Sequence, residues 1–181
     1  MHFPVFTNNS YRNLDDALQC SLGSFSLARH FHCHHFFNKE YYQVEYDSTL
    51  YQNSVEGSRE FQMHLLHVAS FIKGFSKPKS KVVEIGCGKG NFFKVLSQQG
   101  FENLFGFDVT YEGDDSRISK RYFSERDLGF NADLIVLRHT LEHIPQPFKF
   151  LSEILRINSN QNASIIIEVP SFDWITSHQA W

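Results

Sequence analysis

Apolar positions follow a helical period over residues 57–74. Phe61, Leu65, Val68, Ala69 and Ile72 fall at i, i+4, i+7, i+8 and i+11, one face of a helix, and Gly74 is a plausible stop. Beyond Lys77-Pro78-Lys79 the pattern changes to short apolar runs that alternate with helical stretches. It predicts a strand over Lys81–Ile85, a helix over Asn91–Gln98 closed by Gly100, and a strand over 103–109. Residues 110–119 are polar and read as a loop or short helix, with a short third strand at 119–123. The run 132–137 is continuously apolar, as a parallel strand buried on both faces should be. A helix follows over Pro147–Ile157, with Phe148, Leu151, Ile154 and Leu155 directed inward and proline near its start. A last strand is read at 164–169. Strand–helix alternation of this kind implies parallel strands joined by crossovers.

The first 45 residues show no such period. Asn8-Asn9-Ser10 and Asn13 punctuate a turn-rich start, and Leu14–Leu18 reads as a helical turn. Residues 30–37 read as a His-rich strand or loop, and Tyr41, Tyr42, Tyr46 and Tyr51 dot a polar linker. The expected organisation is therefore a small irregular segment, 1–45, followed by an α/β domain, 46–181.

Composition narrows the classes. A chain of 181 residues with 41% hydrophobic content suffices for one domain with a core and a small appendage. Its 19 Phe suit thick layers between helices and a sheet. A net charge of −3 gives no electrostatic case for nucleic acid. No apolar run approaches the roughly 20 residues that span a bilayer. The start lacks a basic segment followed by a long apolar core, so no secretory signal is expected. Cys20, Cys33 and Cys87 are too few and scattered for a disulfide framework, which fits a reducing, cytoplasmic setting.

The chemistry concentrates at three predicted strand ends, where ligands of open α/β sheets bind. The first is Glu84-Ile85-Gly86-Cys87-Gly88-Lys89-Gly90, a strand-to-helix turn with three alternating glycines. Its backbone can approach a ligand closely, and the new helix offers amides to a carboxylate. A dinucleotide fingerprint would put its third glycine at Asn91, so a nicotinamide site is disfavoured and an S-adenosylmethionine site favoured. Glu84, Ile85, Gly86, Cys87, Gly88 and Gly90 are the candidate contacts to the methionine part. The second is Asp108, eighteen residues past Gly90, followed by Val109; its carboxylate is a candidate acceptor for the ribose hydroxyls. The alternative is an Asp that caps its own loop. The third is Leu137-Arg138-His139-Thr140-Leu141-Glu142-His143. Arg138 and His139 are candidate cofactor contacts, and His139 and His143 candidate general bases. The alternative is that Glu142 and His143 open the next helix and satisfy each other.

The glycine turn resembles motif I of the class I S-adenosylmethionine-dependent methyltransferases, whose fold is Rossmann-like. From Tyr46 to Trp181 the chain resembles a C-methyltransferase-type family that acts on nucleotide-linked sugars. The matching pieces are Tyr46–Tyr51, Glu84–Gly90, Phe107–Gly113, Asp133–Pro145, Ile166–Pro170 and Phe172–Ile175. The resemblance implies S-adenosylmethionine as cofactor, a small-molecule acceptor, and His143, with Tyr46 or Tyr51, near that acceptor. Family members often begin with a zinc module built from two C-x-x-C pairs. Here His30 and Cys33 stand at the second pair and the first is absent, so no metal is expected. The chain also stops before the family's Tyr-x-Glu-His segment and its last two strands. Two expectations follow. One is an enzyme; the other is a truncated fold that binds the cofactor or a partner without turnover. Ile165-Ile166-Ile167 would then form a bare sheet edge, which predicts dimerisation through that strand or poor solubility.

Overall fold

The computed structural model describes residues 2–4, 13–20, 22–40, 58–127 and 129–178. The chain forms two compact units, Met1–Ser54 and Val55–Trp181. In the first, β1 (His2–Pro4) pairs antiparallel with β2 (Leu22–Ser24), and β3 (Leu27–Arg29) pairs antiparallel with β4 (Phe36–Asn38). Between β1 and β2 lies α1 (Leu14–Leu18), whose first turn is capped by Asn13 accepting from the Asp16 amide at 2.8 Å. Within 13–20 and 22–40 no residue is buried. His30 Nδ1 lies 3.3 Å from Cys33 Sγ, but no group of three or more metal-ligating side chains gathers among the described residues.

The second unit is built on a five-stranded, wholly parallel sheet in the order β7-β6-β5-β8-β9. These strands are β5 (Lys81–Ile85), β6 (Asn103–Phe107), β7 (Ile118–Ser119), β8 (Leu134–Arg138) and β9 (Ser164–Glu168). Helices α2 (Arg59–Lys73) and α3 (Asn91–Gln98) cover one face. Helix α4 (Pro147–Ile157) covers the other, and α5 (Phe172–His178) follows β9. Among the described residues no helix is long and apolar enough to cross a membrane.

Side-chain alternation sorts the sheet into two cores. Val82, Leu104, Leu134, Val136 and Ile166 meet α2 and α3, where Leu65, Ala69, Ile72, Phe93 and Leu96 are buried. Val83, Ile85, Phe107, Ile135 and Leu137 meet Ile154 and Ile157 of α4. The expected stripe on α2 is thus the buried one, with Phe61 and Val68 partly covered at its edge. The central strands β5 and β8 are buried on both faces, which accounts for their unbroken apolar runs.

Three features differ from the pattern-based reading. The inward face of α4 runs through Phe150, Leu151, Ile154 and Ile157. Phe148 is 76% exposed and Leu155 48% exposed, because both lie off the stripe that Ile154 and Ile157 set. The third strand is only Ile118–Ser119, earlier and shorter than expected. Beyond it Arg121 grips the Asp127 carboxylate through two bonds of 2.8 Å and bends the chain, while Phe123 turns into the core against Phe107. Residues 110–117 are loop, one of the two readings their polar pattern allows. Helix α5 was not foreseen; it starts at Ser171, whose hydroxyl accepts from the Trp174 amide at 3.3 Å.

Candidate functional site

The sheet order reverses between β5 and β8. The chain leaves β5 toward β6 and β7, then returns to the other side of β5 for β8 and β9. The crevice above the carboxyl ends of β5 and β8 is therefore the topological switch point. All three predicted strand ends converge on it, and β9 adds a fourth.

At the end of β5 the chain turns through Gly86, Gly88 and Gly90, all with positive φ. At Gly86 the reason is close approach: a Cβ would collide with the Thr140 side chain, which crosses from the β8 end and donates to the Ile85 carbonyl at 3.2 Å. At Gly88 a Cβ would meet no atom within 4 Å, so the turn lies open there. Gly90 is the N-cap of α3 and supplies no side-chain cap. Cys87 is buried in the α2/α3 core, and burial, with Glu84 and Asp108 nearby, pushes its thiol far up. Its contribution to the turn is therefore backbone and packing.

Asp108 stands at the end of β6. Its Oδ2 accepts from the Gly88 amide at 2.7 Å, and its Oδ1 from the Thr110 amide and hydroxyl, both at 2.7 Å. The loop-capping alternative is thus seen directly, and the carboxylate also staples the glycine turn to the neighbouring strand. A carboxylate offers about four acceptor sites, so Oδ2 retains capacity for one more donor. Val109 follows it, half-buried.

Glu84 and Arg138 carry the most telling feature. Glu84 is opposite Val136 in the β5–β8 register, and Arg138 lies two residues further along β8, so both project to the α3 face. They are 3% and 7% exposed, and Arg138 stacks over the Phe92 ring of α3 at 4.4 Å. Glu84 Oε2 and Arg138 Nη2 are both buried and have no hydrogen-bond partner. Native structures leave few such atoms, and each needs a cause. Burial pushes the Glu84 carboxyl up to about 8; Arg138 pulls it down, while Asp108 and Glu168 push it further up. The pair is an acid and a guanidinium, each with one polar atom reserved.

Arg138 is opposite Glu168 in the β8–β9 register, and its Nε donates to Glu168 Oε2 at 2.6 Å. Glu168 Oε1 lies 2.5 Å from His64 Nε2 of α2 and 3.2 Å from His139 Nε2. Burial would raise this carboxyl, but the hydrogen bonds from His139, Arg138 and His64 win and hold it far below the usual carboxylate range. His139 has φ +47°, rare for a residue with a side chain, and its amide donates to the Glu168 carbonyl at 2.9 Å. Its Nδ1 lies 3.6 Å from Glu142 Oε1. The Glu142 and Glu168 carboxylates, which accept from the ring, outweigh its desolvation and raise it to about 9. His143 is exposed on a separate 3₁₀ turn, Leu141–His143, held by its amide donating to the Thr140 carbonyl at 3.1 Å. Glu142 therefore partners His139, and neither Glu142 nor His143 opens α4.

The structure thus gathers Glu84, Ile85, Gly86, Cys87, Gly88, Gly90, Asp108, Val109, Arg138 and His139 at one end of the sheet. Tyr46 and Tyr51 lie outside the described residues. Sequence reasoning missed Glu168 as a site residue, although it ends a strand beside Arg138 and the strand-end rule points to it. His64 carried no such signal: on α2 it is one polar position beside the apolar stripe.

Against known proteins, the family described as "Methyltransferase domain" matches residues 58–181. Among solved structures, the plantazolicin methyltransferase BpumL, crystallised with a desmethylPZN analog and SAH, superposes with a TM-score of 0.50 at 20% identity. That match covers 66% of this chain and 50% of that one. The PH0226 protein from Pyrococcus horikoshii OT3 gives 0.51 at 18% identity, over 68% and 60% of the two chains. The chain thus spans between half and two thirds of these structures' length, and at this identity they establish the fold. No curated protein matches. The reversed sheet order, the glycine turn at the switch point and the matched family agree: the fold is the class I methyltransferase α/β fold, and the chain belongs to the methyltransferase-domain family.

Proposed function

We propose that this chain binds S-adenosylmethionine and serves a methyltransferase that acts on a small-molecule acceptor. The observation that carries the reading is the buried, unpartnered pair Glu84 Oε2 and Arg138 Nη2 beside an open glycine turn. An amino-acid end carries one ammonium and one carboxylate, which match a carboxylate acceptor and a guanidinium donor. Glu84 takes the ammonium, and Arg138, with amides of the glycine turn, takes the carboxylate. The remaining acceptor site on Asp108 Oδ2 takes a ribose hydroxyl. When bound, the cofactor supplies an electrophilic methyl on a sulfonium.

The protein's part is to orient that methyl and to hold the acceptor in line with it, the source of most of the rate in such a transfer. His139 sits between two carboxylates and is kept protonated near neutral pH, so it donates rather than accepts a proton. The base role falls to His143, on the exposed turn past β8. The resemblance of 46–181 to sugar C-methyltransferases supports a nucleotide-linked sugar as acceptor, with Tyr46 or Tyr51 on the acceptor side.

The experiment is calorimetric titration with S-adenosylhomocysteine, followed by transfer of labelled methyl from S-adenosylmethionine to a panel of nucleotide sugars and small acceptors. Saturable one-to-one binding and label on an acceptor are the expected results. Absence of any binding overturns the reading. Binding without transfer to any acceptor overturns the catalytic part of it.

A further inference from the structure

Glu168 touches three other side chains at the mouth of this crevice, from α2, from β8 and from the residue just past β8. Oε2 receives the Arg138 Nε of β8, and Oε1 faces both His64 of α2 and His139 beyond β8. Its backbone carbonyl also accepts the His139 amide and so helps hold a residue of positive φ. A non-glycine residue in that region is strained and persists only where its surroundings fix it.

The consequences for Arg138 are geometric. A guanidinium is a planar fork whose donors are fixed relative to one another. With Nε tied to Glu168 and the plane laid on Phe92, the direction of Nη2 is determined. For His139, carboxylate oxygens face both ring nitrogens, Glu168 at Nε2 and Glu142 at Nδ1. A neutral imidazole donates from only one nitrogen, so this arrangement suits the doubly protonated ring. The other charged groups around the cluster are Glu84 from β5 and Asp108 beyond β6; Asp108 acts on Glu84, and neither of them is among the groups that shift His139.

We propose that Glu168 is a positioning residue: it aims the free Nη2 of Arg138 into the cofactor crevice and holds His139 between two carboxylates, so that the end of β8 presents two cations. This deepens the cofactor reading above and rests on it for the role of Arg138; the part concerning His139 stands without it. A merely structural Glu168 would support the fold and leave the titration of His139 alone.

The test uses the full chain with Glu168→Gln, which keeps shape and one acceptor oxygen but loses the charge. His139 is followed by NMR of its imidazole, assigned with His139→Gln, and cofactor affinity by S-adenosylhomocysteine calorimetry. In the wild type His139 titrates near 9, and in Glu168→Gln its midpoint falls toward the ordinary 6.5. Affinity for S-adenosylhomocysteine falls roughly ten- to hundredfold, the loss of one charge-assisted orienting bond. A folded Glu168→Gln protein with an unmoved His139 midpoint and wild-type affinity overturns the proposal. If Glu168→Gln does not fold, Glu142→Gln decides, since it leaves Glu168 as the one carboxylate beside the ring: a His139 midpoint at the ordinary 6.5 overturns the proposal and one that stays above it supports it. If the wild type binds no S-adenosylhomocysteine, the cofactor reading fails, while the His139 midpoint still decides the role of Glu168.

Discussion

Binding of S-adenosylhomocysteine should release a proton from Glu84. In the ligand-free protein this carboxyl is buried and pushed up to about 8, so it is mostly neutral below that pH. An ammonium seated against Oε2 favours the ionised form and pulls the value down. Between the bound and free values, each complex formed therefore expels one proton, and affinity rises by up to about tenfold per pH unit. From about pH 6 to about pH 8 the gain is up to about a hundredfold, or about 2.7 kcal/mol. Above that, Glu84 is already ionised and the gain ends. The groups that set its value are Arg138, which lowers it, and Asp108 and Glu168, which raise it. The assay is isothermal titration calorimetry in paired buffers of unlike ionisation enthalpy, which counts the protons released. Glu84→Gln cannot ionise, so its affinity should be weak and flat over the same range. A wild-type affinity that is constant from pH 6 to pH 8 with no proton release refutes the reasoning. So does a Glu84→Gln variant that keeps the wild-type slope.

Two further outcomes follow from the same geometry. Asp108→Ala removes the acceptor for the Gly88 amide and both Thr110 donors, so it should cost about 1–3 kcal/mol of stability as well as cofactor affinity. Asp108→Asn retains one acceptor oxygen and should fold near the wild type yet bind more weakly; unchanged S-adenosylhomocysteine affinity in Asp108→Asn would rule out the ribose role. Thermal stability of the ligand-free protein should be highest near about pH 4.5 and decline from there toward 9. The signs agree. Glu168, held low, stabilises above its ordinary 4.5 and loses that contribution as pH falls through its folded value. His139, held high, stabilises fully below 6.5 and loses its contribution as pH rises through about 9. Glu84, held high, becomes a growing penalty from 4.5 up to about 8. A melting temperature that stays flat or rises from pH 6.5 to 9 would contradict this balance.

What could be read in the sequence follows from how local each signal is. The bounds of β5, α3 and α4 were legible because each is written in one short window: an apolar run, a glycine turn, a proline at a first helical position. The face of α4 was less so. Phe148 and Leu155 are as apolar as Ile154, and only the packed sheet decides that the stripe passes through Phe150 and Ile157 instead. The third strand failed for a related reason, since the Arg121–Asp127 clamp that ends it joins residues six apart through side chains, not through a periodic pattern.

The site divides along the same line. Glu84, the three glycines and Asp108 declare themselves by spacing, because a turn and the next strand end lie within one crossover. Yet even there the sequence showed only half of what Asp108 does. Its bond to the Gly88 amide depends on β6 lying beside β5 in register, Ile85 opposite Phe107. The cluster around Glu168 is further out of reach. Arg138 and Glu168 are thirty residues apart and meet because β8 and β9 pair in one register and not its neighbour. A slip of one residue would send Glu168 to the α4 face and leave Arg138 without its anchor. His64 comes from a helix 104 residues earlier. Motifs mark where a backbone must bend, and they do so in this chain; which charges then face one another is decided by strand register. That is why the anchoring of Arg138 and the two carboxylates that flank His139 required the folded sheet to become visible.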